Sequence, residues 1–161
     1  MIQAALMGAL LFAVQVVLSG LPNIELVSLL LILYTQAVSP KQALAAAFLF
    51  ALLEGLFYGF GIWWIMYLYI WPVLVLLSWL FRKNRSVWFW TMLSAAFGLS
   101  FGALCAIPYA VSGGIAAGIS WWISGIPFDI AHCISNAAAM LLLYKPLTAF
   151  FQMMKRKQLI V

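Results

Sequence analysis

Long uninterrupted apolar runs make up most of the chain, and its polar residues collect in the short segments between them. Continuous runs predict helices, because the strands of a membrane barrel alternate apolar and polar positions over about ten residues. A helix that crosses a bilayer needs roughly 20 apolar residues. The long apolar stretches cover about 4–18, 26–38, 43–61, 62–81, 87–111 and 126–151. The pattern predicts an all-α membrane protein, a compact bundle of six transmembrane helices in a single domain covering residues 1–161.

A seventh apolar run, 114–124, is too short to cross a bilayer. Glycines precede it, and the sequence Gly125-Ile126-Pro127 follows it, so both of its ends carry turn signals. A continuation of the fifth helix, an interfacial helix and a re-entrant segment all fit this pattern. The sequence leaves the three alternatives open.

Composition and charge give this bundle an orientation. The chain is 68% hydrophobic and only 7% charged, whereas soluble globular proteins carry about a quarter charged residues. Cytoplasmic loops collect Lys and Arg. With the amino terminus inside, Lys41 follows the second helix, the cations of 82–85 follow the fourth and those of 155–157 follow the sixth. Lys145, near the inner end of the last helix, reaches the headgroups through its long stem. Both termini are therefore predicted to be cytoplasmic, in a multi-pass protein of the cell membrane.

The formal net charge of +5 then reflects topology and attraction to anionic membrane lipid. No basic patch interleaved with aromatic residues indicates nucleic-acid binding. The amino terminus lacks the basic flank and small-residue cleavage pattern of a signal peptide, so the mature chain is expected to begin at Met1. Cys105 and Cys133 lie in apolar segments without metal-type spacing and are expected to be buried free thiols.

All three carboxylates fall in the half of the bundle opposite the cations. A carboxylate at membrane depth costs several kcal/mol unless it faces protein or water, so it is a functional candidate by default. Glu54 follows eleven apolar or small residues and has no basic residue near it in sequence. Tyr58, one turn further out on the same face, is predicted to line a pocket with it. A structural hydrogen bond from Glu54 to another helix is the alternative.

Asn23 and Glu25 lie between the first two predicted helices, and both a structural and a functional interpretation fit them. Pro22 ends the first helix, Asn23 can cap the second helix, and Glu25 falls in its first turn, where the helix dipole favours an acid. A role of Asn23 and Glu25 in ligand binding fits the same positions equally well. Both interpretations stay open.

Asp129, His132 and Asn136 follow one another along the sixth helix at spacings of three and four residues. These spacings put the three side chains on one helix face. His132 and Asn136 lie deep in an apolar stretch, where an unpaired polar group is costly. The three residues are predicted to line a pocket.

The outer half of the fourth helix is rich in aromatic residues. Trp64, Tyr67 and Trp71 share one face by helical spacing, and Trp63 and Tyr69 lie beside them. Such rings can stack on a flat heterocycle or surround a cation. Trp and Tyr are also enriched at membrane–water interfaces. For any single ring, a position in such an interfacial belt is the alternative to a role in binding.

Small residues recur along two helices. Ala5, Ala9 and Ala13 form a smooth strip on the first helix, with Gly8 adding to it, and a strip of this kind lets another helix approach closely. Packing inside the bundle is the default interpretation of such a strip. The small residues 95, 98, 102 and 106 of the fifth helix are also expected to serve internal packing.

Four short motifs together resemble a known family. They are the Ala5-x-x-x-Ala9-x-x-x-Ala13 strip, Leu21-Pro22-Asn23-Ile24-Glu25, Glu54-Gly55-Leu56-Phe57-Tyr58-Gly59, and Gly125-Ile126-Pro127-Phe128-Asp129 with Asn136. With them the chain resembles, over essentially its whole length, the substrate-binding S component of energy-coupling factor (ECF) transporters. Those proteins are small six-helix membrane subunits that capture vitamins and related micronutrients.

The resemblance implies a set of partners and a division of roles. The partners would be a small-molecule micronutrient, a transmembrane coupling protein and two cytosolic ATPases that drive uptake. The resemblance maps docking on the coupling protein to Ala5, Ala9 and Ala13, and it places a binding pocket near the outer surface. The candidate substrate-binding residues are Asn23, Glu25, Glu54, Tyr58, Trp63, Trp64, Tyr67, Asp129, His132 and Asn136.

The sequence carries no catalytic signature. It has no GxxxxGK[ST] phosphate loop, no HExxH zinc motif and no nucleophile with an obvious base, so no enzyme activity and no cofactor are expected of this chain. Two other functions stay open. A transition-metal ion could be the ligand, held by His132, Asp129 and one of the two glutamates, or the chain could be a cell-envelope scaffold that binds no small molecule.

Overall fold

The computed structural model describes residues 2–160, and this part of the chain contains six α-helices and no strand. The helices are α1 (Ile2–Leu18), α2 (Val27–Ala37), α3 (Pro40–Tyr58), α4 (Ile62–Leu80), α5 (Val87–Gly113) and α6 (Ile115–Arg156). The predicted all-α class is confirmed. Four helices, α3 to α6, are long and apolar enough to cross a membrane. Passage of all six through the bilayer stays a prediction.

The second helix is short and central. Its 11 residues extend about 17 Å, roughly half of a hydrocarbon layer of about 30 Å. Nearly every residue of α2 is buried, and Glu25 just before it is buried too. In the connection 19–26 between α1 and α2, Glu25 is the one buried residue, and most of the others are exposed.

The segment 114–124 does not continue the fifth helix, and it forms the start of the sixth instead. Gly114 turns the chain with a φ of 86°, and 115–124 is the first part of α6, which continues through Pro127 without a break. Proline removes only one helical hydrogen bond, so a helix that packs well elsewhere can retain it. The boundary expected at Gly125-Ile126-Pro127 is thus wrong.

The fifth and sixth helices form a long hairpin that packs through small residues. An added Cβ at Gly98 would lie 2.9 Å from the carbonyl carbon and oxygen of His132, and one at Gly118 would lie 2.6 Å from the Cβ of Ala110. Backbones approach this closely only where side chains are absent or minimal. The prediction that the small residues of the fifth helix serve internal packing is confirmed for Gly98 and for the buried Ala106.

Pro108 leaves one carbonyl of α5 without its helical donor, and a neighbouring helix supplies the replacement. Residue 108 has no N–H to give to the carbonyl of Leu104, four positions earlier. The hydroxyl of Tyr69 in α4 donates to that oxygen at 2.7 Å. This hydrogen bond ties α4 to α5.

Tyr69→Phe is therefore expected to destabilise the protein by about 1 kcal/mol, because it leaves a half-buried acceptor unpaired. In a Pro108→Ala background the new amide satisfies Leu104, so the same Tyr69→Phe change is expected to cost close to nothing. Thermal unfolding of the four proteins of this double-mutant cycle measures the coupling. Equal costs of Tyr69→Phe in both backgrounds would contradict the assignment.

Charged groups separate to opposite ends of the bundle. All eight cationic residues are exposed. Two contacts near them show that ends of different helices come together there. Tyr144 of α6 donates a hydrogen bond to Gln36 at the end of α2, and Arg85 and Lys145 line one shallow cleft. The three carboxylates lie at the other end, where they line two cavities.

Candidate functional site

Two adjoining cavities lie at the acidic end of the bundle. The first, which we call the Glu54 cavity, has a volume of about 310 Å³ and is bounded by the connection 19–26 and by side chains of α1, α3, α4, α5 and α6. The second, the Asp129 cavity, has a volume of about 870 Å³ and lies between α4 and the α5–α6 hairpin. Asn23, Trp63, Tyr67 and Phe101 line both cavities.

Most of the predicted substrate-binding residues converge here. The Glu54 cavity is lined by Asn23, Glu25, Glu54, Tyr58, Trp63, Tyr67 and His132. Asp129 lines the neighbouring cavity. Trp64 and Asn136 line neither cavity.

Glu54 is buried without any partner. Its side chain projects from α3 and the residue is only 3% exposed. Oε1 is buried with no hydrogen bond, and among residues 2–160 no group donates to either carboxylate oxygen. The expected alternative, a structural hydrogen bond to another helix, is thus absent from the described part of the chain. Because an uncompensated buried carboxylate is costly, this residue is suited to receive a donor or a positive charge from a ligand.

Glu25 both stabilises the start of α2 and contributes to the cavity. One oxygen, Oε2, accepts the backbone N–H of Ser28 at 2.8 Å, and the other, Oε1, lies 3.1 Å from His132 Nε2. Glu25 belongs to the connection before α2, outside the helices. Burial opposes its ionisation, but the hydrogen bonds from His132 and Ser28 outweigh burial and hold the pKa of the carboxyl below its ordinary value. The structural and the functional interpretations of Glu25 are therefore compatible.

Asn23 does not cap α2, and that expectation is wrong. The N-cap position is Leu26, which has no capping side chain, and Glu25 supplies the oxygen for the first turn instead. Asn23 adopts a left-handed backbone with a φ of 58°, a conformation that asparagine tolerates better than most residues. Its carbonyl accepts the hydroxyl hydrogen of Ser135 at 2.7 Å, which fixes the connection 19–26 to α6.

The polar face of α6 contacts α5 at two places and the connection 19–26 at one. Asp129 Oδ1 accepts the N–H of Gly102 at 2.8 Å, while Oδ2 is buried with no partner. His132 pairs with Glu25. Asn136 donates from Nδ2 to the carbonyl of Ser94 at 3.2 Å and so links α6 to α5. Only Asp129 and His132 are available to a ligand in the cavities.

Aromatic rings form the wall between the two cavities. Trp63, Tyr67 and Trp71 follow at intervals of four residues along α4, and each neighbouring pair meets edge to face with ring centroids 5.4 Å apart. Phe101 of α5 extends this row, with centroids 5.6 Å from Trp71 and 4.9 Å from His132. The predicted stacking face is thus present, but Trp63 takes the place expected for Trp64.

Trp64 has a structural role in packing α4 against α3. Its Nε1 donates to the carbonyl of Ala51 at 2.9 Å, and its ring meets Phe60 edge to face at 5.1 Å. It lies one residue from Trp63, which rotates it by about 100° around the helix axis. Helical spacing alone did not show which of the two tryptophans faces the cavity.

The Glu54 cavity is also lined by residues that the predicted site did not include, and three of them are Gln15, Trp71 and Phe101. Gln15 is one of two polar residues in the apolar helix α1, and this was a usable signal. Trp71 is 2% exposed and its indole N–H has no acceptor within residues 2–160. Phe101 gave no signal in the sequence, because an apolar residue in an apolar helix has no distinguishing pattern.

The alanine strip of α1 lies on the outside. Ala5, Ala9 and Ala13 are all exposed, whereas Gly8 and Leu11 are buried. A Cβ at Gly8 would come within 3.0 Å of Ala46 O in α3, so Gly8 belongs to the internal face and not to the strip. The default interpretation of the strip as internal packing is therefore wrong for the three alanines.

Metal binding finds no ligand set in the described residues, where no three His, Cys, Asp or Glu side chains cluster closely enough to hold an ion. Cys105 and Cys133 are free, as expected, and half-buried. Comparisons of the chain with protein-family models, with curated proteins and with solved structures find no match.

Proposed function

We propose that this chain is the substrate-binding subunit of an ATP-driven importer of the ECF type, which captures a vitamin or related heterocycle in an outward-facing pocket. One observation carries the proposal. A carboxylate with a partnerless buried oxygen, Glu54, lines a cavity together with a row of aromatic rings and the His132–Glu25 pair. A bundle with a purely structural role gains nothing from such an unpaired group, whereas a binding site uses it to fix a ligand.

The charge distribution supports the proposed topology. All six helices would cross a prokaryotic plasma membrane, with both termini in the cytoplasm. The cationic residues are exposed at one end of the bundle, as the preference of cytoplasmic loops for Lys and Arg requires. The two cavities at the other end would then face outward, toward the nutrient supply.

Size and chemistry of the cavities favour a flat, nitrogen-bearing ligand. Volumes of about 310 and 870 Å³ fall in the range of pockets that bind small molecules. The rings of Trp63 and Tyr67 offer apolar surface to a heterocycle. Glu54 can accept its N–H groups, and the indole N–H of Trp71 needs an acceptor that the same ligand would provide.

Energy for transport has to come from partner proteins, because the chain has no phosphate-binding loop. The proposed partners are a transmembrane coupling protein and two cytosolic ATPases. The exposed strip of Ala5, Ala9 and Ala13 supports docking through α1, since small side chains let a second helix approach closely. A metal-ion ligand and a scaffold role gain no comparable support from the geometry.

Ala9→Leu is expected to abolish or strongly reduce co-purification of this chain with the ATPases from native membranes, because the longer side chain keeps the partner helix at a distance. Small molecules released from the purified wild-type chain are expected to include a nitrogen heterocycle, identified by mass spectrometry. The variant is expected to retain the same molecule, since Ala9 lies away from both cavities.

Ala138→Leu is the matched control, because Ala138 is also an exposed alanine, but on α6. It is expected to leave co-purification unchanged. Recovery of wall-synthesis proteins in place of ATPases, together with a chain free of any bound heterocycle, would reject the importer and favour the scaffold.

A further inference from the structure

We infer that the ligand of this site is an organic cation, with its positive nitrogen at Glu54 and the rest of the molecule extending into the Asp129 cavity. The inference rests on the proposed function, because it names the class of molecule that the importer would capture. It is carried by the hydrogen bonding of the three carboxylates, by the lack of Lys or Arg in the lining of the cavities, and by the four residues that line both cavities.

The three carboxylates differ in how many hydrogen bonds they accept from the protein. Glu25 is fully engaged by His132 and by the N–H of Ser28. Asp129 has one oxygen on the N–H of Gly102 and one buried oxygen without a partner. Glu54 has no hydrogen bond at all within residues 2–160. The site therefore has unused acceptor capacity in each cavity.

Among residues 2–160, no Lys or Arg side chain is available to compensate Glu54 and Asp129. None of the eight cationic residues lines either cavity, and His132 is already paired with Glu25. A cation brings a charge opposite to that of the carboxylate, which a neutral donor does not, and opposite charges attract strongly where the effective dielectric is low. The site is thus electrostatically matched to a positively charged ligand.

The aromatic wall favours an organic cation over a bare metal ion. Trp63 and Tyr67 line both cavities, and a cation near the face of such rings gains further attraction. A metal ion would need several ligands around one point, and the described His, Cys, Asp and Glu side chains form no such group. A delocalised or alkylated nitrogen cation needs only one carboxylate and the rings.

The residues that line both cavities indicate the direction of the ligand. Asn23, Trp63, Tyr67 and Phe101 line both, so the two cavities adjoin at these side chains. With its positive nitrogen beside Glu54, the ligand would extend past these side chains into the larger space beside Asp129. The partnerless Oδ2 of Asp129 would accept a second N–H or O–H of the ligand.

The test compares pairs of flat heterocycles that differ in charge and in one N-methyl group. Purified full-length chain is titrated at neutral pH with 1-methylnicotinamide, a cation, and with nicotinamide, its neutral counterpart, and then with N-methylquinolinium and quinoline. Thermal unfolding followed by circular dichroism gives the apparent dissociation constants. The cation of each pair is expected to bind about tenfold more tightly, because its positive charge is attracted to the Glu54 carboxylate and to the faces of the aromatic rings.

Glu54→Gln keeps the size of the side chain and removes its charge, so it is expected to reduce the preference for cations to less than about twofold. Asp129→Asn is expected to weaken the larger pair more than the smaller one. Ser100→Ala is the control, since Ser100 is exposed and bonds only to Ala96 of its own helix. The ligand-free Glu54→Gln protein is expected to melt no lower than the wild type, which separates loss of binding from unfolding.

Three outcomes would overturn the inference: equal or tighter binding of the neutral molecules, a cation preference that survives Glu54→Gln, or no binding of either class at millimolar concentration. A chain that retains a neutral heterocycle and still co-purifies with the ATPases would keep the proposed importer and reject the cation. A chain that prefers cations but associates with no ATPase would keep the cation site and reject the importer.

Discussion

His132→Leu is expected to destabilise the protein by about 3–5 kcal/mol, because it leaves Glu25 as a buried carboxylate without its side-chain partner. His132 Nε2 and Glu25 Oε1 are 3.1 Å apart, and both side chains are less than a tenth exposed. Glu25 would keep only the backbone N–H of Ser28. The connection 19–26 is then expected to loosen, which should appear as faster hydrogen exchange at these residues.

The double variant Glu25→Leu/His132→Leu is the informative comparison. Replacement of a whole buried pair by apolar residues is often close to neutral, so most of the stability lost in His132→Leu is expected to return. Ser135→Ala removes another hydrogen bond to the same connection, to the carbonyl of Asn23, and is expected to cost only about 1 kcal/mol. Chemical unfolding in mixed micelles measures all three, and a double variant as unstable as the single one would contradict the pair's role.

The helices were largely predictable because hydropathy reflects the environment of each residue directly. The predicted ranges 26–38 and 62–81 agree closely with α2 and α4. The sequence failed where backbone packing overrides a local signal. Gly125-Ile126-Pro127 has the composition of a turn, but α6 continues through it, and the close approach of Gly118 to α5 shows that the hairpin packing continues beyond that point.

The site was predictable as a set of residues but not as a set of contacts. Polar residues within apolar runs are easy to recognise in the sequence, and most of them line the same cavity in the structure. Their partners come from distant segments, however. The spacing of Asp129, His132 and Asn136 correctly placed the three side chains on one helix face. It did not show that Asp129 and Asn136 would bond to α5 while His132 contacts the connection 19–26.

Gly98→Ala is expected to destabilise the protein by about 2 kcal/mol, although alanine is the better helix former. The new Cβ would lie 2.9 Å from the carbonyl carbon and oxygen of His132 and 3.0 Å from the amide nitrogen of Cys133. These are backbone atoms, which cannot rotate away, so α5 and α6 have to separate. His132 would move with its backbone, so we expect the contact between His132 and Glu25 to be lost as well.

Gly125→Ala is the matched control for this change. It lies in α6 with open space around the position of a Cβ, so the higher helix propensity of alanine is expected to stabilise the protein by up to about 1 kcal/mol. The opposite signs of the two glycine substitutions, measured by chemical unfolding, distinguish close helix packing from helix propensity. If Gly98→Ala also stabilised the protein, the hairpin would not depend on backbone contact at residue 98, and the position of His132 would need another explanation.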